Sequence, residues 1–346
     1  MNEKEAEVRK AFRQQAEFCR GLGSPITAEV LNTAADKLSG DTETGKRILF
    51  WDGDPTAGGD NVTLRLAGGL HAVARSGDDE RLAAAYRGEG DVSAAVEAAL
   101  VEHDAALLPW LDTAPQTNEA GRAAVVMAGL LVAADRFPLP IDLLELGSSA
   151  GLVLNLARYR YDLGGREAGE PTSPLLLKPS WTGAPPPDAP VDIITQHGVD
   201  RSPVYLSTPA AEERLTAYIW PDQRQRLETV EAAIRLARAF TPPVIQGEAA
   251  DWTEKRLAQP QADGVMRILF HTIAFQYFPD DQKDRVRVAI EAAGAAATED
   301  RPFGWLSFEF DEAKNACELH LTLWPTGEKY HLANAHPHAT SVSWKG

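Results

Sequence analysis

Apolar residues before Phe137 recur at the spacing of three or four positions that is typical of amphipathic helices. Val8, Phe12, Ala16 and Cys19 share one such face, and Ser24-Pro25 supplies an N-cap followed by proline at the first helical position. This pattern predicts an all-helical N-terminal region over residues 1–137. Its further helices are expected at 26–38, 63–73, 79–86, 96–111 and 123–134, with a loop at 51–61.

The pattern changes after Pro140, where short apolar runs alternate with helical periodicity. Strands are expected at 141–146, 191–195, 244–245, 266–270, 304–310, 317–324 and 329–335, and helices at 149–159, 221–240 and 280–293. This alternation predicts an α/β fold with a mostly parallel, Rossmann-like sheet. The turn Pro325-Thr326-Gly327 adds an antiparallel C-terminal hairpin. Residues 138–346 are therefore expected to form one α/β domain, with an insertion at about 160–190.

Composition and charge narrow the function classes. The chain has 346 residues, 44% of them hydrophobic, and a formal net charge of -16. Because an acidic protein repels a phosphate backbone, we expect no nucleic-acid partner. The apolar run Ala123–Ala134 is too short for a bilayer, and the N-terminus lacks the apolar stretch of a signal peptide. With Cys19 and Cys317 far apart, no disulfide framework is expected. We expect a cytoplasmic protein without a membrane partner.

The strongest chemical motif is the turn Glu145-Leu146-Gly147-Ser148-Ser149-Ala150-Gly151, which follows the first predicted strand. It resembles the first motif of class I methyltransferases that use S-adenosylmethionine (SAM), with Glu145, Gly147 and Gly151 in register and Ser149 in place of the central glycine. That resemblance implies a methyltransferase-like sheet with SAM as cofactor. The dinucleotide pattern GxGxxG fits less well because its second and third glycines are displaced, which argues against a nicotinamide oxidoreductase.

Acids at the next strand ends are candidate cofactor ligands. An acid after the second strand of such a sheet accepts hydrogen bonds from ribose hydroxyls. Asp200 suits this role, with Asp162 as the rival. After the third strand, Glu248 is the candidate near the adenine amino group, and Asp251 is the alternative, although Asp251 also suits a helix N-cap.

Candidate catalytic residues follow the fourth predicted strand, in Phe270–Pro279. Many amino methyltransferases place Asn/Asp-Pro-Pro-Tyr here, and this chain does not. His271 and Tyr277 are the candidates, His271 as a general base, because a histidine titrates near neutral pH. A hydrogen-bonded core histidine is the alternative interpretation.

The segment just before the α/β domain is rich in polar side chains. Gln116, Asn118, Glu119 and Arg122 are candidate substrate-binding residues, and Arg122 offers a two-pronged contact to a carboxylate. Helix capping by Asn118 and Glu119 is the alternative. No metal site is expected, because the spacing of His331, His336 and His338 matches no zinc signature.

Several segments together resemble a bacterial family known as a domain of unknown function. They are Gln116–Arg122, Glu145–Asn155, Gly198-Val199-Asp200, Trp220-Pro221-Asp222 and His336-Pro337-His338. The resemblance extends over nearly the whole chain and implies a methyltransferase-like core behind a helical region, but no particular reaction. The expected function is SAM-dependent methyl transfer to a small molecule or a protein side chain. The alternative is a non-catalytic sensor or partner protein that binds SAM or a nucleotide.

Overall fold

The computed structural model describes residues 3–311, 314 and 316–346, which form two compact units. The first unit comprises residues up to Thr117 together with Thr208–Glu228, and the second comprises Asn118–Ser207 and Thr229–Gly346. The expected boundary at residue 137 differs from this division. Helix Ala123–Arg136 packs on the sheet of the second unit, while residues 208–228 return to the first.

The first unit is helical, as the apolar periodicity predicts. Its helices are α1 (Glu3–Gly21), α2 (Pro25–Lys37), α3 (Glu43–Leu49), α4 (Val62–Ser76), α5 (Glu80–Tyr86), α6 (Val92–Glu102), α7 (Asp104–Leu107) and, from the returning segment, α9 (Pro209–Ala217). The helix expected at 96–111 is broken at His103, and Leu108–Asp112, which contains Pro109, is a 3-10 helix. The core of this unit includes Trp220, and the Asp222 carboxylate accepts a hydrogen bond from the Ser24 hydroxyl.

The second unit contains a nine-stranded sheet within its described residues. In chain order the strands of the unit are β1 (Ile141–Leu146), β2 (Arg160–Leu163), β3 (Arg166–Gly169), β4 (Leu176–Leu177), β5 (Ser180–Thr182), β6 (Ile193–Asp200), β7 (Val244–Gln246), β8 (Met266–Thr272), β9 (Phe303–Asp311), β10 (Ala316–Trp324), β11 (Glu328–Ala335) and β12 (Ser341–Trp344). The helices are α8 (Ala123–Arg136), α11 (Ala249–Leu257) and α12 (Asp280–Ala295), and α10 (Arg224–Ala239) begins in the first unit.

The large sheet runs in the order β5-β12-β11-β10-β9-β8-β1-β6-β7. Strands β7, β6, β1, β8 and β9 are parallel, and β9 to β12 form an antiparallel meander. A mostly parallel sheet with antiparallel C-terminal strands is therefore confirmed, although the meander is longer than the expected hairpin. The order of the parallel strands reverses between β1 and β8, and ligands of doubly wound sheets bind beyond the carboxyl ends of the strands at such a point.

The connection from β1 to β6 differs most from the expected structure. The helix expected at 149–159 is wrong: turns and a short 3-10 helix, Leu156–Arg158, lead into the small sheet β3-β2-β4. Backbone conformation explains this, because Ser149 and Gly151 adopt left-handed φ of +51° and +72°, which a right-handed helix does not accommodate. The Leu152 N–H donates instead to Asn118 Oδ1 at 2.7 Å, and the Tyr159 hydroxyl donates to the Leu152 carbonyl at 2.6 Å.

The other expected elements are present with shifted ends. The strand expected at 191–195 is β6, which extends to Asp200, so His197–Asp200 is strand rather than loop. Among the described residues, no helix combines the length and the apolar character that crossing a membrane requires.

Candidate functional site

A cavity of about 190 Å³ lies at the carboxyl ends of the parallel strands, near the reversal of strand order. It is formed by the turn after β1, the end of β6, the start of α11 and the loop between β8 and α12. The lining residues are Gly147, Val199, Asp200, Arg201, Gly247, Glu248, Ala249, Tyr277, Phe278, Pro279 and Gln282. Four of the candidate residues from the sequence, Gly147, Asp200, Glu248 and Tyr277, therefore meet at one cavity.

The turn after β1 depends on backbone conformations that glycine favours. Gly147 and Gly151 both have φ of +72°, and a Cβ on Gly147 would lie 2.5 Å from the Ala274 Cβ. Ser149, where the methyltransferase motif has its central glycine, adopts φ of +51° as a serine. Its hydroxyl is buried and has no hydrogen-bond partner. Of these three residues, only Gly147 lines the cavity.

Asp200 holds this turn. Its carboxylate accepts hydrogen bonds from the Ser149 N–H and the Ser202 N–H, both at 2.8 Å. Its backbone carbonyl accepts one from the Gly247 N–H at 3.0 Å, which connects β6 to the residue after β7. A carboxylate has about four acceptor positions, so two remain for a ligand in the cavity.

Glu248 occupies the N-cap position of α11 but makes no side-chain capping bond. Its side chain is exposed and lies at the cavity. Asp251, the alternative, pairs instead with Arg285 at 2.6 Å and does not line the cavity. Asp162, the rival of Asp200, lies on β2 and pairs with Lys178 at 2.7 Å. The geometry therefore favours Asp200 and Glu248.

Glu145 is fully buried behind the turn, not at the cavity. Leu144 and Leu146 face the core shared with α11 and α12, so Glu145, between them on the strand, points to the opposite face of the sheet. Burial raises the pKa of Glu145 to about 8, with a further contribution from the Asp200 carboxylate. Its Oε2 atom has no hydrogen-bond partner. At neutral pH Glu145 is therefore mainly a neutral carboxylic acid.

His271 lies inside a hydrogen-bonded network beside the loop after β8. Its Nδ1 is 2.6 Å from Glu309 Oε1, and its Nε2 is 3.0 Å from the Trp305 indole nitrogen. Because the indole N–H can only donate, Nε2 of His271 is the acceptor in this contact. Nδ1 therefore carries the ring proton and donates a hydrogen bond to Glu309. His271 is only 1% exposed, and its ring stacks on Phe275. This geometry favours a positioning role for His271 over the expected role as a general base.

Glu309 organises the same loop and was not identified from the sequence. Besides His271, its carboxylate accepts the N–H groups of Ala274 and Phe275 at 3.2 Å and of Gln276 at 3.3 Å. Although burial alone would raise it, the hydrogen bond from His271 and the backbone donors lower the pKa of Glu309. The sequence did not reveal this role, because Glu309 lies far along the chain from the loop that it holds. Tyr277, in contrast, is 63% exposed at the cavity.

The polar side chains of the segment before α8 form hydrogen bonds with backbone groups and do not line the cavity. Asn118 caps the Leu152 N–H, and Glu119 accepts a hydrogen bond from the Gly121 N–H at 3.4 Å. The buried Arg122 donates to the carbonyls of Thr272, at 3.1 Å, and Pro337, at 2.9 Å. These side chains hold the ends of the loops, and they do not line the cavity. Gln116 belongs to the first unit. The geometry thus favours supporting roles over substrate binding, although only Glu119 caps a helix, the short 3-10 helix Ala120–Arg122, while Asn118 bonds a turn.

The fold and the cavity define a mixed α/β protein with a mostly parallel central sheet, antiparallel C-terminal strands and an N-terminal helical region. The chain belongs to the bacterial family described as "Uncharacterized protein conserved in bacteria (DUF2332)", which matches residues 9–344. The resemblance to a bacterial domain of unknown function is thereby confirmed. No curated protein and no solved structure matches the chain.

Proposed function

We propose that the α/β unit binds SAM in the cavity at the strand ends and transfers its methyl group to a small molecule or a protein side chain. One observation supports this above the others: Gly147, Asp200 and Glu248, from three successive strand ends, line the same cavity. When bound, SAM supplies an electrophilic methyl group on a positively charged sulfur.

The chemistry of the lining suits this cofactor. Asp200 would accept hydrogen bonds from the ribose hydroxyls, and Glu248 from the adenine amino group. Their negative charge also favours a cationic ligand over a dinucleotide with two phosphates. Arg201, on the rim, offers two parallel donors to the methionine carboxylate.

The turn after β1 contributes shape more than hydrogen-bond donors. The N–H groups of Gly147 and Ser148 donate to the Val199 carbonyl, and that of Ser149 donates to Asp200. The side chains at the cavity therefore carry most of the recognition. At about 190 Å³, the cavity is smaller than the roughly 300 Å³ at which small-molecule sites begin. Part of the cofactor must lie outside it, or the loop with Tyr277 and Phe278 must move.

Calorimetric titration with SAM and with its demethylated product tests the proposal. We expect Asp200→Asn and Glu248→Gln each to weaken binding by about tenfold, the loss of one charged hydrogen bond. Asp251→Asn is the matched control, because this acid lies on the same helix but away from the cavity. A wild-type protein that binds neither compound, or that binds both as tightly after either cavity substitution, would overturn the proposal.

A non-catalytic SAM- or nucleotide-binding protein is the second candidate. The occupied ring nitrogens of His271 favour it, since this histidine has no free position for proton transfer. Methyl transfer through positioning alone needs no such base. Mass spectrometry of copurified small molecules, followed by assay of demethylated product with added acceptors, separates the two. Binding without turnover on any acceptor supports the second candidate.

A further inference from the structure

Two histidines and a glutamate meet on the antiparallel strands, away from the lining of the cavity. His320 on β10 is directly paired with His331 on β11, and Glu318 lies two residues before His320 on the same face. The imidazole rings are stacked, with centroids 4.6 Å apart. A register shift between Leu319 and His320 marks an irregularity at this point, and bulges of this kind redirect side chains.

The ligand atoms of the three side chains converge. His320 Nε2 lies 3.0 Å from Glu318 Oε2, and His331 Nε2 lies 3.6 Å from Glu318 Oε1. All three ligand atoms lie within 4.8 Å of one another. In a tetrahedral zinc site with bonds of about 2.0–2.1 Å, neighbouring ligand atoms are about 3.3–3.4 Å apart. The two distances run to different carboxylate oxygens of Glu318, and they bracket that value.

We propose that Glu318, His320 and His331 form a binding site for a divalent transition metal ion of the zinc class. Two imidazoles and one carboxylate form a ligand set that zinc enzymes use, with the fourth position open to water. This proposal departs from the expectation of no metal site. Sequence spacing could not reveal it, because His331 joins the other two through strand pairing.

The surroundings of the site already attract cations. The Glu318 side chain is only 9% exposed, and Lys314 donates to it at 2.8 Å. His331 Nε2 lies 2.7 Å from Asn334 Oδ1, and Lys345 Nζ lies 3.3 Å from His331 Nε2 and 3.0 Å from the same Asn334 oxygen. An ammonium group therefore stands beside the acceptor atoms that a metal ion would use. A bound metal must displace the contact of His331 Nε2 with Asn334 and must compete with Lys345, so removing the charge of Lys345 strengthens metal binding.

The experiment titrates untagged, chelator-treated full chain with Zn²⁺ by calorimetry and with Co²⁺ by visible absorption, which reports four-coordinate geometry. We expect one ion per chain. His320→Gln and His331→Gln should each weaken binding at least tenfold, and Lys345→Met should strengthen it severalfold. The gain expected for Lys345→Met keeps the test independent of any loss of folding in the ligand variants.

The matched control is His103→Gln. His103, Asp79 and Glu102 form the other metal-like cluster of the described residues, but Asp79 already caps α5 through the Leu82 N–H. Binding should be unchanged in this variant. No binding by the wild type, or undiminished binding by the double variant H320Q/H331Q, would show that the cluster is only an ion-pair network. Loss of binding in His103→Gln alone would assign the metal to the other cluster.

Discussion

Two loops at the carboxyl edge of the sheet are held by the same kind of contact. After β1, the Ser149 N–H donates to Asp200 on the neighbouring strand β6, and after β8 three backbone N–H groups donate to Glu309 on the neighbouring strand β9. Each loop contains a non-glycine residue in the left-handed region, Ser149 with φ of +51° and Ile273 with φ of +49°. Such conformations cost about 1–3 kcal/mol and persist where the surroundings enforce them.

The two carboxylates differ in how many of their acceptor positions the protein uses. Asp200 accepts hydrogen bonds from two backbone N–H groups, those of Ser149 and Ser202, and lines the cavity. Glu309 accepts three backbone donors and the imidazole of His271, and it does not line the cavity. Asp200 therefore keeps capacity for a ligand at the cavity, while Glu309 is engaged by four donors of the protein. The number of acceptor positions left unused, more than the residue type, therefore distinguishes a carboxylate that can bind a ligand from one that only holds a loop.

The largest expected effect comes from Glu309→Ala. It leaves the imidazole of His271 and three backbone N–H groups without their acceptor, so we expect about 4 kcal/mol less stability to urea. Asp200→Ala should cost only about 1–2 kcal/mol, because the N–H of the exposed Ser202 regains water. Equal losses in the two variants would remove the distinction between the loops.

The second effect concerns Glu145, behind the Asp200 loop. Its folded pKa of about 8 lies above its ordinary value of 4.5, so the folded state binds the proton more tightly. Its contribution to stability is complete below pH 4.5 and is lost as the pH rises through 8. At about 1.4 kcal/mol per pH unit, stability should fall by roughly 3 kcal/mol between pH 5 and 7.5.

Glu145→Gln should flatten this slope, because glutamine stays neutral throughout. Urea denaturation across the pH range measures it, and the exposed Glu167→Gln is the control that keeps the wild-type slope. An unchanged slope in Glu145→Gln would show that Glu145 is not the group responsible.

The third effect concerns the contact between the two loops, where Gly147 faces Ala274. Gly147→Ala introduces both an unfavourable φ and a Cβ at 2.5 Å from the Ala274 Cβ, so we expect a loss of about 2–3 kcal/mol. Gly327 has nearly the same φ, +73°, but open space around it, so Gly327→Ala should cost only about 1 kcal/mol. Thermal unfolding compares them. Equal losses would mean that the loops are free to separate.

The smallest effect is a gain. Ser149→Gly relieves the left-handed φ and removes a buried hydroxyl without a partner, so we expect stability to rise by about 1 kcal/mol in urea. Ala339→Gly, with φ of +53°, is the control that relieves the same backbone conformation without removing a hydroxyl, although it also removes a buried methyl group. A loss of stability in Ser149→Gly would indicate that the serine hydroxyl has a role in the folded protein.

The sequence predicts most strands because their apolar runs are short and are bounded by turn residues, as in β1 and β8. It also places Asp200 and Glu248 correctly at strand ends, because strand ends follow from local pattern. It fails over 149–159, where Ser149 and Gly151 have left-handed backbone and Asn118 accepts a hydrogen bond from the Leu152 N–H. Asn118 lies 34 positions earlier in the chain, outside any local window.

The supporting residues of the site were harder to predict for the same reason. Glu309 forms hydrogen bonds with residues that lie 33 to 38 positions earlier in the chain. His320 and His331 meet only through the register of β10 and β11. Arg122 has the chemistry of a carboxylate ligand, yet two carbonyls use its donors. Residue type predicts what a side chain is able to do, and tertiary contacts decide which capacity is used.

The outer end of the large sheet has a consequence for biosynthesis. Strand β5 finds its partner in β12, where Ser180 is paired with Ser341. During translation, β5 leaves the ribosome long before β12 exists, at about 5–20 residues per second. For many seconds its backbone donors and acceptors have no native partner, and it is open to pairing with other chains. The native pairing at the outer end of the sheet therefore forms only after nearly the whole chain has been synthesised.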